Sequence, residues 1–281
     1  MTTLPAVRYY REVTDIPHEL ALQHLSPAEA RLGAVVAQPR RIAIACVIVL
    51  TVLSWGVLGL MASDADIWLT LCQPLGAGGG LELALVFAMW VAMTLAMMLP
   101  TAAPMILTYA EIVDTAAQKG EPAASALLLT AGYATVWLGF AFAATAMQFA
   151  FTQVALLDAG RASPWLASAI FFVAGTYQFS KLKHACLTQC QRPFPFFFAN
   201  WTAEPRGVFH LGIRQGLLCL GCCWAMMLVM FAAGAMNVIW MAVLGMLMTI
   251  EKMTSTPRFS QAVGIVFVAI GLGVVAMVLV R

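Results

Sequence analysis

The chain has 281 residues, of which 62% are hydrophobic and only 10% are charged, and its mean hydropathy is +0.88. A soluble domain carries about a quarter charged residues, because its surface must meet water with polar groups. This composition excludes an ordinary soluble enzyme, and a net charge of +2 without a basic stripe excludes a nucleic-acid binder.

Residues 1–41 read as a cytoplasmic N-terminal tail and 42–281 as a transmembrane helical domain. The first long apolar run begins only at Ile42, too late for a secretory signal. A spanning helix needs about 20 mostly apolar residues. Stretches that qualify run over 42–62, 83–108, 123–151, 164–180, 216–233, 236–250 and 259–280. The expected fold is therefore an all-α polytopic transmembrane bundle of about seven spans. Gly234-Ala235-Met236-Asn237 leaves room only for a tight hairpin between the fifth and sixth. The sixth is short, so a six-span reading with 236–250 half-inserted stays open.

Loop charge sets an orientation. With the tail inside, Arg8, Arg11, Arg31, Arg40, Arg41, Lys119, Lys181, Lys183, Arg192, Arg206, Arg214, Lys252 and Arg258 all fall on the cytoplasmic side. These are 13 of the 15 basic residues, and the first external loop offers Asp64 and Asp66 instead. The positive-inside rule then places the N-terminus inside and the C-terminus outside.

The second span ends in LPTAAP (99–104). Pro100 and Pro104 each remove a helical donor and orphan a carbonyl four residues back. In lipid such a carbonyl must be paired within the protein or line a cavity. Two readings follow: a helix end at the interface, or a break that opens a site beside Met97, Met98 and Met105.

Charge is scarce in the spans, with Glu82 at one mouth and Glu251 at the end of the sixth, which argues against a proton pump built on buried carboxylates. Glu251 is expected to be solvated at the interface, to pair with Lys252 or Arg258, or to bias the site. Sulfur is abundant instead, with 17 Met and seven Cys. Met89, Met93 and Met97 recur every four residues, with Met98 beside them, and Asn237, Met241 and Met248 form a stripe toward Glu251. Cys219, Cys222 or Cys223, Met226 and Met230 share a face of the fifth span. Cys186 and Cys190 stand one turn apart in KLKHACLTQCQRP (181–193), near His184, if the fourth helix continues past the headgroups. Five of the seven cysteines thus gather at the cytoplasmic mouth; Cys46 and Cys72 have no assigned role. The weak echo of WVAM (90–93) in WAMM (224–227) carries little weight.

Thiolates with thioethers form a soft ligand set that suits Cu(I), with zinc as the alternative. Cys186, Cys190, Cys219, Cys222 and Cys223 are the expected primary metal ligands. Met97, Met98, Met226 and Met230 would be secondary ligands or a relay. His184 is either a ligand or a surface charge near the thiols. Small Cys and Gly221 also suit close helix packing, so a structural or assembly subunit of a membrane complex is a second reading. Thiol–disulfide exchange is a third, helped by Lys181, Lys183, Arg192 and His184 near the thiols. No nucleophile–base triad, phosphate loop or dinucleotide fingerprint is present, so no enzyme activity is expected.

The stretches MWVAMTLAMMLPTAAP (89–104), AGTYQFSKLKHACLTQCQRP (174–193) and GLLCLGCCWAMMLVMFAAGAMNVIWM (216–241), followed by Glu251-Lys252, resemble a bacterial family of predicted metal-binding integral membrane proteins. The resemblance covers most of the chain past residue 80. It implies a bacterial inner-membrane location and a candidate metal site on the same five cysteines, with the Met97-Met98-Leu99-Pro100 element. Ser180 departs from the family pattern near the end of the fourth span. The expected partners are the lipid bilayer, a metal donor or acceptor protein and further copies of the chain.

Overall fold

The computed structural model describes residues 39–63, 80–154, 156–158, 161–234, 237–254 and 256–280. Cys72, Asp64, Asp66, residues 235–236 and the tail up to residue 38 lie outside the described residues. The helices run α1 Pro39–Ser63, α2 Gly80–Gln118, α3 Ala126–Gln153, α4 Pro164–Tyr177, α5 Lys181–Gln191, α6 Pro193–Ala199, α7 Pro205–Ala233, α8 Val238–Met253 and α9 Pro257–Val280. A two-residue pair, β1 Leu157–Asp158 with β2 Arg161–Ala162, closes the turn between α3 and α4. The fold is all-α, as expected.

Among the described residues, four helices are long and apolar enough to cross a membrane: Glu82–Gln118, Ala126–Gln153, Pro205–Ala233 and Pro257–Val280. Ile44–Leu60 and Pro164–Tyr177 are shorter apolar segments. The outward faces carry Leu60, Phe142, Leu272 and Val280, all more than half exposed, while Lys183, Gln178, Gln148 and Glu251 are buried inside. Apolar outside and polar inside is the pattern that a lipid solvent selects.

Helix starts follow local chemistry. The hydroxyls of Ser125, Ser163 and Ser180 accept the backbone N–H of Leu127, Leu166 and Lys183, and Asn237 Oδ1 accepts that of Trp240. Each satisfies a first-turn donor that has no partner within its own helix. At Ser180 this corrects an expectation. The fourth helix does not continue into KLKHACLTQC; it stops at Tyr177, and Ser180 starts a separate helix, α5.

LPTAAP also behaves differently from both readings of it. Helix α2 neither ends nor opens there; it runs unbroken through Pro100 and Pro104 to Gln118. The carbonyl that Pro100 orphans is that of Ala96, and the indole Nε1 of Trp55 on α1 donates to it at 3.1 Å. A neighbouring helix thus supplies the missing donor, and α2 can pass the proline.

Helices α3 and α7 make the closest crossing. A Cβ on Gly132 would lie 2.1 Å from the Phe209 carbonyl oxygen, and one on Gly212 would lie 2.1 Å from that of Leu129. Gly216, one turn beyond Gly212, faces Val136. This small-xxx-small face lets the two backbones touch, the usual solution where lipid offers no hydrophobic drive between helices.

Candidate metal centre

The α3–α7 crossing places the site. Two turns past Gly212, Cys219, Cys222 and Cys223 share one face of α7, and their sulfurs all lie within 4.8 Å of one another. Each of the three residues is 2% exposed. The spacing i, i+3, i+4 brings them to one face. The helix begins at Pro205, earlier than the expected 216, so the thiols sit mid-helix and not in its first turns. At 1.5 Å per residue they lie about 15–22 Å from its far end.

Neighbouring helices complete the surroundings. From α3, the residue after Gly132 is Tyr133, whose hydroxyl stands 3.1 Å from Cys219 Sγ. From α2, Met98 Sδ lies 3.9 Å from Cys223 Sγ. The thiols of Cys222 and Cys223 donate to the Cys219 carbonyl at 3.0 and 2.9 Å. Helix α5 brings the remaining pair. Cys186 Sγ fills the space beside Gly221, where a Cβ would meet it at 2.7 Å. Cys190, half-buried, lies beside Cys219 and Cys222. Interaction with those two residues, more than burial, holds the Cys190 thiol well above its ordinary value. Burial, helped by Cys222, pushes the Cys186 thiol up. Helix α5 thus brings Cys186 and Cys190 against the α7 face that carries the three thiols, even though α5 is not a continuation of α4.

The methionines divide. Met98 faces the thiols, whereas Met97 packs against the Gly245 position of α8. Met226 Sδ lies 3.8 Å from Lys183 Nζ. Met230 is wholly buried in the core. His184 is half exposed in the first turn of α5, where its backbone N–H bonds the Ser180 carbonyl. Among the described residues, the group of metal-binding side chains within reach of one another is the three α7 cysteines, without carboxylate or imidazole.

Two lysines read from sequence as loop charges reach this interior, Lys183 wholly buried and Lys252 half-buried. Lys183 is 0% exposed and pairs with Glu251 at 2.7 Å. It also donates to Gln178, while Ser260 Oγ donates to Glu251 at 2.5 Å. Glu251 is therefore neither solvated nor paired with Lys252 or Arg258. Successive residues of a helix point about 100° apart. Glu251 turns toward α5 and α9, and Lys252 turns toward α7. There Lys252 Nζ donates to Cys219 Sγ at 3.0 Å and to Thr101 Oγ1 at 2.7 Å. Helical spacing could have found it, because Lys252 continues the Met241–Met248 stripe by one further turn. Tyr133 and Thr101 carried no such signal.

The family model described as copper chaperone matches residues 87–274, which hold every element of this site. The chain belongs to the PpoB2 copper chaperone family. No curated protein and no solved structure matches the chain. Membership in PpoB2 agrees with the metal-binding family expected from the sequence. The donor chemistry fits the family's cargo. Closely spaced thiols beside a thioether suit a soft cation better than a hard one.

Proposed function

We propose that this PpoB2 protein binds Cu(I) within a membrane, at Cys219, Cys222 and Cys223, and passes it on to an acceptor protein. The observation that carries this reading is the group of three buried sulfurs within 4.8 Å of one another on one face of α7. Cys190 and Cys186 stand on the α5 side of the group, and Met98 stands on the α2 side. Of the five thiols, Cys190 is the one that is only half-buried. It is the natural sulfur for exchange with an incoming or outgoing carrier, since Cu(I) passes between proteins by replacing one sulfur ligand with another. Met98 offers a neutral soft donor, which adds affinity without adding charge.

The composition supports a membrane setting, and the resemblance to bacterial integral membrane proteins implies the inner bacterial membrane. Sulfur ligands there are kept reduced from the cytoplasmic side, which favours metal binding over a stable disulfide. Zinc remains the competing cargo, because Cys190 would complete a set of four thiols.

Metal content of the protein purified in detergent under reducing conditions tests the proposal. Wild type loaded with Cu(I) is expected to retain about one ion per chain, and Cys222→Ser/Cys223→Ser to lose it. Equal copper in both proteins, or none in wild type with all thiols open to alkylation, would overturn the reading.

A further inference from the structure

Lys252, half-buried between α2 and α7, has no carboxylate partner among the described residues. A lysine inside a membrane bundle needs a counter-charge, and such residues pair with one another or with backbone carbonyls. The other interior lysine, Lys183, has Glu251. That carboxylate is one residue from Lys252 and turns the other way. Lys252 meets a hydroxyl, Thr101 Oγ1 at 2.7 Å, and a sulfur, Cys219 Sγ at 3.0 Å. An ammonium can only donate, so the sulfur is the acceptor. Tyr133 OH approaches the same sulfur at 3.1 Å.

We infer that Lys252 is the counter-cation of the metal site, a positioning residue that orients Cys219 and offsets the negative charge of the sulfur-bound ion. The inference rests on the proposed Cu(I) reading. Cu(I) held by the three thiolates of Cys219, Cys222 and Cys223 would carry a net charge of −2, and such a charge is costly to leave uncompensated away from water. Lys252 offsets one unit of it. Thr101 holds the ammonium from the α2 side, and Thr101 Oγ1 itself donates to the Met98 carbonyl at 2.9 Å. The cation, the thioether residue Met98 and the thiols are therefore fixed to one another across α2, α7 and α8. Outer partners of metal ligands of this kind set affinity by orienting the ligands and tuning their charge.

The test is Cu(I) affinity of the full-length protein in detergent, measured anaerobically by competition with a chromophoric Cu(I) chelator. Lys252→Met is expected to weaken binding by about 10–100-fold, and Lys252→Arg to stay near wild type, since it keeps the charge. Lys252→Gln keeps a donor without charge and should fall with Lys252→Met; it carries the test if the methionine variant does not elute as a single species. Neutral variants that bind as tightly as wild type would overturn the inference and leave the Cu(I) reading standing. An equal loss in the arginine and neutral variants would also overturn it, because size and not charge would then matter. A wild type that binds no Cu(I) would remove the parent reading itself.

Discussion

Lys183 and Glu251 show at the level of single residues how a buried polar group is carried by its neighbours. Lys183 is wholly buried, and its partners come from three places in the chain: Glu251 on α8, Gln178 before α5 and Met226 on α7. Removing one charge leaves the other unpaired, which costs about 3–5 kcal/mol in a buried pair. Lys183→Met alone is therefore expected to lower the thermal midpoint in detergent strongly. Lys183→Met/Glu251→Leu should recover much of that loss, because no orphaned charge remains. A double variant no better than the single one would contradict the account. Neither partner's burial was legible in the sequence. A lysine in the polar run KLKHAC looks like a loop charge, and only the fold shows that α5 is tucked beneath α7. The cysteines were legible, because i, i+3, i+4 spacing fixes a shared face whatever surrounds it.

At the scale of elements, small residues decide which helices meet and therefore which side chains reach the sulfurs. The contact between Gly132 and Gly212 is backbone on backbone, so an added side chain has nowhere to go. Gly212→Leu is expected to prevent the α3–α7 crossing, at a cost above the about 1–3 kcal/mol of ordinary overpacking. Gly139→Ala on the same α3 meets nothing within 4 Å and should be neutral or slightly stabilising. Thermal unfolding in detergent compares the two, and similar midpoints would count against the crossing. Most helix positions could be read from sequence, since each apolar stretch answers to the thickness of a bilayer. The passage of α2 through Pro100 could not. The donor that rescues the Ala96 carbonyl is Trp55, 41 residues away, and nothing local announces it. The end of the fourth helix was half legible: Ser180 stood out, and its hydroxyl proves to be the cap that starts α5.

For the whole molecule, the arrangement is a bundle with lipid-ready faces and a soft, sulfur-rich centre. Helices α2, α3, α5, α7 and α8 each bring one kind of group to that centre: a thioether, a phenol, two thiols, three thiols and an ammonium. Among the described residues no carboxylate joins the thiol group, and Glu251 is turned toward Lys183 and Ser260. This separation suits a cargo held by sulfur and passed by sulfur exchange. X-ray absorption at the copper edge, on the Cu(I)-loaded protein in detergent, tests that claim most directly. A first shell made only of sulfur, lost in Cys222→Ser/Cys223→Ser, is the predicted result. A shell containing nitrogen or oxygen, or a spectrum unchanged by the double substitution, would contradict it.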